Sequence, residues 1–136
     1  MKNKKVLMTI ISIVVVMTLA AVTVCAISAN NHQTDTFGNG SVYNTYFIVS
    51  DAIELRAYGN VKNTVYPNYS LRIAINAGAS YLSGGTAGGS DNGYGYMGNP
   101  GRADVIVQLD DYCEWAYAEY HLHENGVYIL TVGDSC

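Results

Sequence analysis

Basic side chains are scarce once the first 29 residues are passed. Arg56, Lys62, Arg72 and Arg102 stand against eleven Asp and Glu, a net charge of −7 over residues 30–136. Phosphate binding rests on a basic surface, so nucleic acid drops out as a partner. Proline is as rare, at two residues in 136. No stretch after the N-terminal segment spaces its apolar residues at the helical period, and none repeats another. Helical bundles and repeat arrays are thereby excluded. Catalytic signatures are missing too: there is no Gly-x-Ser-x-Gly elbow and no Walker lysine in the glycine-rich stretch. Asp110 and Asp111 are adjacent, and neighbours on a strand point to opposite faces, so they cannot share a substrate. These absences point away from an enzyme and call for no cofactor.

Long uncharged apolar sequence occurs once. Lys2, Lys4 and Lys5 precede a run from Val6 to Ile27, after which polar "NNHQTD" begins. Basic head, apolar body and small residues at a cut site are the order of a secretory signal, with cleavage expected after Ser28 or Ala29. Residues 1–29 are therefore read as a signal peptide. The run is long enough to cross a bilayer, so an uncleaved anchor is the rival reading and the sole route to a membrane. Lipid attachment at Cys25 is disfavoured by the branched Val24 before it. The expected location is secreted or extracellular, with cell-surface anchoring as the variant.

Past a flexible segment expected at 30–41, residues 42–136 fit one domain. Apolar and polar residues alternate there. "VYNTYFIV" (42–49), "AIELRAY" (52–58), "SLRIAINA" (70–77), "ADVIVQLD" (103–110), "YCEWAYAEYHLH" (112–123) and "VYILTV" (127–132) each read as a strand. Twelve tyrosines suit such strands, since the ring can be buried while the hydroxyl stays wet. The fold expected is an all-β, small antiparallel sandwich of about six to seven strands. Asn125-Gly126 closes its C-terminal hairpin, because both residues tolerate the positive φ of a type I′ turn. A regular ladder from that turn sets Glu124 against Val127, His123 against Tyr128, Leu122 against Ile129 and His121 against Leu130. It also brings Cys113 and Cys136 to diagonal positions on one face. In an exported domain this pair is expected to form a disulfide, given a bulge or a frayed end to close the gap.

Three places carry the functional reading. In "EYHLHENG" (119–126), alternation projects Glu119, His121 and His123 from one face, a donor set that suits zinc or copper. The competing reading is a wet strand face, since Ala116, Ala118, Tyr120 and Leu122 form an apolar stripe on the other side. The glycine-rich stretch 83–102 reads as a long loop bearing Tyr94, Tyr96 and Met97, rigid side chains among small residues as in many binding loops. Trp115, the single tryptophan, sits among strand tyrosines. Together these point to a non-enzymatic exported domain that binds an extracellular protein or a cell-wall carbohydrate through Tyr94, Tyr96, Met97 and Trp115. A metal-binding protein and a secreted toxin or bacteriocin-like effector are the alternatives.

Overall fold

The computed structural model describes residues 28–50, 52–64, 69–96 and 98–136. Nearly all of the expected signal segment, with Cys25, and also Met97, lie outside the described residues. Eight strands follow one another: β1 (Ala29–Phe37), β2 (Ser41–Ser50), β3 (Glu54–Lys62), β4 (Leu71–Tyr81), β5 (Thr86–Gly95), β6 (Gly101–Gln108), β7 (Cys113–Glu124) and β8 (Val127–Ser135). They form two antiparallel four-stranded sheets, ordered β1-β2-β3-β6 and β5-β4-β7-β8, with no helix among the described residues. The chain is thus an all-β sandwich, with slightly more strands than expected.

The two added strands lie where alternation is weakest. β1 occupies most of the segment expected to be flexible. It is an edge strand exposed along almost its whole length, so no apolar period marks it; pairing with β2 and burial of Phe37 hold it in place. β5 takes up half of the stretch read as a loop, and its glycines serve close approach rather than flexibility. A Cβ on Gly93 would fall 2.0 Å from the Arg102 carbonyl oxygen, and one on Gly95 would fall 2.6 Å from the Gly101 nitrogen. At this side of the sandwich the edges β5 and β6, from opposite sheets, cross backbone against backbone. The Asp104 N–H donates to Asp91 Oδ2 at 2.9 Å and fastens the crossing.

Between the sheets, alternation delivers Phe47, Leu55, Val61, Leu71, Ile73, Ile75 and Leu122 to one core, each 2 % exposed or less. Tyr120 is fully buried among them, and its hydroxyl donates across the core to the Tyr46 carbonyl at 2.7 Å. Gly59 lies within β3, where a Cβ would come 2.4 Å from Ile73 Cδ1. At one end of the sandwich the Glu124 carboxylate accepts from the Asn39 backbone N–H at 3.1 Å and from Asn39 Nδ2 at 3.2 Å. This ties β7 to the β1–β2 turn. Gly38 there has φ +53°, and a Cβ on it would lie 1.8 Å from Glu124 Oε2.

The Asn125-Gly126 hairpin forms as expected, with φ of 51° and 78°. Its regular ladder lasts for only two pairs, Glu124–Val127 and His123–Tyr128. Beyond them Leu122 faces Leu130 and His121 faces Thr131, so Ile129 is an extra residue in β8. The regular register would have turned Leu130 and Val132 outward and Thr131 inward. One bulge reverses all three, and its physical cause is the inward packing of the apolar pair, Val132 buried and Leu130 half-buried against the core. A second bulge lies in β7, where Ser80 pairs with Trp115 but Tyr81 with Cys113, leaving Glu114 extra.

Candidate functional site

The outer face of the β5-β4-β7-β8 sheet gathers most of the residues singled out above. Register places Tyr94, Arg72, His123 and Tyr128 in one row across it. Asn92, Ala74, His121 and Thr131 form the next, then Ser90, Asn76, Glu119 and Gly133. Gly88, Gly78, Tyr117 and Ser135 follow, and Thr86, Ser80 and Trp115 end the series. Aromatic side chains therefore stand at both ends of the face, with amides, hydroxyls and glycines between them.

At one end, Trp115 and Tyr117 stack with ring centroids 5.2 Å apart and planes 24° apart. Trp115 is 50 % exposed. The Tyr117 ring lies across Gly78, where a Cβ would stand 2.9 Å from its Cε1. A side chain at position 78 would push the ring off the sheet. Shallow grooves flank the pair, one floored by Gly78, Ala87 and Gly88, the other by Gly133 and Ser135. Large apolar rings held in water over a flat floor form a surface suited to stacking. The sequence offered Trp115 with its neighbouring tyrosines. It gave no sign of the role of Gly78, because that depends on the β4–β7 register.

The opposite end holds Tyr94 and Tyr96, 58 % and 62 % exposed. Tyr94 is part of β5, not of a loop, and the Arg72 guanidinium lies 5.7 Å from its ring centroid. Arg72 Nε donates to Asn92 Oδ1 at 3.1 Å, which anchors the guanidinium beside β5. His123 meets the Tyr128 ring edge-on at 5.8 Å. Partial burial, then the charges of Arg72 and His121, lower the His123 pKa below its ordinary value.

In the middle of the face His121 is engaged through both ring nitrogens. Nδ1 pairs with the Thr131 hydroxyl at 2.8 Å and Nε2 with Asn76 Nδ2 at 3.4 Å. Glu119 Oε2 stands 3.7 Å from Nε2. Glu119, His121 and His123 do share the outer face, yet the imidazoles face different partners. Among the described residues no group of three or more His, Cys, Asp or Glu is placed to hold a metal ion.

The two bulges decide where the cysteines go. Strict alternation would leave both on the outer face. Instead Cys113 is 1 % exposed and Cys136 packs against the core, so both turn inward. Cys136 exchanges two backbone hydrogen bonds with Ala116, at 3.0 and 3.1 Å, three positions along β7 from Cys113. Both thiols are free, and burial raises the pKa of each. No protein-family model matches the chain, and comparison with curated proteins and with solved structures returns no match.

Proposed function

We propose that this chain is an exported, non-enzymatic binding domain whose ligand is a cell-wall carbohydrate, held on the outer face of the β5-β4-β7-β8 sheet. The observation that carries the reading is the exposed Trp115–Tyr117 stack laid over Gly78. A sugar ring presents an apolar C–H face, and stacking it on an indole or phenol ring removes both from water. Hydrogen-bonding groups beside the stack, Glu119 and Ser80 with Ser135, then meet the hydroxyls at the ring's rim. Export rests on the sequence order of residues 1–29 and on an acidic surface that suits solution outside a cell.

Pulldown on purified wall polysaccharide tests the reading. The wild-type protein is expected in the bound fraction, and Trp115→Ala or Tyr117→Ala in the unbound fraction while melting as a folded protein. Retention of both variants as fully as wild type would remove this face from the site. N-terminal sequencing of protein from the medium checks export, with a start at Ala29 or Asn30 expected.

A further inference from the structure

We infer that the site is a track rather than a spot: it takes a neutral, linear polysaccharide lying along the strands, from the Trp115–Tyr117 stack to Tyr94 and Tyr128. This rests on the proposed carbohydrate reading and specifies its ligand. Six residue steps along β7 separate Tyr117 from His123, whose row carries Tyr94 and Tyr128. At about 3.3 Å per residue the span is roughly 20 Å, more than a disaccharide can bridge.

The character of the intervening surface fits a sugar chain. Asn92, Asn76, Ser90, His121 and Thr131 offer both donors and acceptors, spaced along the path at the two-residue period of outward side chains. Asn92, Asn76, His121 and Thr131 are held in place before any ligand arrives, by the Arg72–Asn92 and Asn76–His121–Thr131 hydrogen bonds. Preorganisation of that kind lowers the cost of binding. Gly78, Gly88 and Gly133 keep the surface low where a bulky side chain would block the path.

Charge selects the class of polymer. Arg72 is the only Lys or Arg in the five rows, and its guanidinium is committed to Asn92 and Tyr94. Residues 30–136 carry −7, so a polyanion would meet repulsion. Glu119 is the only carboxylate in the rows, too few for a polycation. A neutral chain remains.

Calorimetry with β-1,4-linked N-acetylglucosamine oligomers from dimer to hexamer, set beside an anionic polygalacturonate and intact wall polysaccharide, tests the inference. Affinity is expected to climb with length until the oligomer spans the face, with no binding of polygalacturonate. Tyr94→Ala and Trp115→Ala should each weaken hexamer binding about tenfold, and Tyr94→Phe should restore it. Both substituted side chains are exposed, and melting curves report whether the variants fold. If the dimer binds as tightly as the hexamer, or if Tyr94→Ala has no effect, the track is refuted while a local site at Trp115 survives. Preferential binding of polygalacturonate refutes the neutral class. Failure of wild type to bind the oligomers and the wall polysaccharide alike refutes the track together with the proposed function.

Discussion

Replacing Tyr120 with phenylalanine isolates one hydrogen bond between the two sheets and gives it a pH signature. The ring is fully buried and its hydroxyl donates at 2.7 Å to the Tyr46 carbonyl, so the substitution keeps the packing and removes only the bond. A buried hydrogen bond of this kind contributes about 1 to 1.5 kcal/mol. Burial, followed by the nearby Asp134 charge, raises the Tyr120 pKa far above 10. The hydroxyl therefore stays protonated in the folded protein while the unfolded chain ionises at 10.0. Stability that is fully present below pH 10 is lost as pH rises from there towards the folded value. At pH 11 the unfolded state gains about RT ln 11, or roughly 1.4 kcal/mol, from this one group. Phenylalanine has nothing to ionise. Urea unfolding at pH 8 should thus place Tyr120→Phe about 1 to 1.5 kcal/mol below wild type, a midpoint shift of roughly half to one molar. At pH 11 the two curves should nearly coincide, since other alkaline titrations, Tyr43 among them, are common to both proteins. A gap that stayed constant from pH 8 to 11 would mean that the Tyr120 hydroxyl is not held in the core as described.

Other perturbations reach different parts of the fold. Gly93→Ala forces a Cβ to within 2.0 Å of the Arg102 backbone, so the β5–β6 crossing must open; a loss of about 3 kcal/mol or more is expected, while Ser90→Ala on the same strand should leave the melting temperature almost unchanged. Asp134 has a raised pKa, from burial, and its Oδ2 has no partner, so ionisation above the unfolded value of 3.8 costs stability; Asp134→Asn should melt higher than wild type at pH 7, and the advantage should vanish near pH 3. His123 is shifted the other way for a base, so acidification below 6.5 protonates the unfolded chain first; thermal melts should fall below that pH, and less so in His123→Gln. For the cysteines, Cys113 and Cys136 both turn inward, and forming the expected bridge from their free thiols passes two electrons and two protons to an external disulfide. Protein from the medium, alkylated under denaturing conditions without reductant, should then show no modified cysteine in the mature chain, and modification of both thiols would refute the bridge.

Much of the architecture could be read because burial on one face imposes a period of two. The strands at 42–49, 52–58, 70–77, 103–110, 112–123 and 127–132 all alternate, and all lie on or beside observed strands. β1 and β5 escaped because nothing imposes that period on them: one is wet on both faces, and the other buries backbone rather than side chains. Bulges escaped for a subtler reason. The sequence "VYILTV" contains the conflict, since a regular hairpin ladder exposes Leu130 and Val132, but only the observed pairing, with Val132 buried and Leu130 half-buried, shows that the chain inserts Ile129 to resolve it. The site followed the same division. Tyr94 and Tyr96 were legible as large rings among small residues and Trp115 as the single tryptophan among strand tyrosines, whereas their shared face needed the β5-β4-β7 register.

Glycine links the fold to the proposed site. Gly93 and Gly95 let β5 cross β6, which closes one side of the sandwich, and Gly78 and Gly88 flatten the adjoining outer face. The two roles are separable. A Cβ on Gly93 collides with backbone, so its replacement disturbs the sheet edge. A Cβ on Gly78 comes nearest to the Tyr117 ring at 2.9 Å, and that ring can lift into solvent. Its second neighbour, the Ala87 carbonyl oxygen at 3.1 Å, needs only a small adjustment. Gly78→Ala should therefore reduce wall-polysaccharide binding severalfold by tilting the Trp115–Tyr117 stack, for a stability loss of no more than about 1 kcal/mol. If it destabilised the protein as much as Gly93→Ala while leaving binding intact, Gly78 would be a packing residue alone, and the flat seat beneath Tyr117 would have no part in recognition.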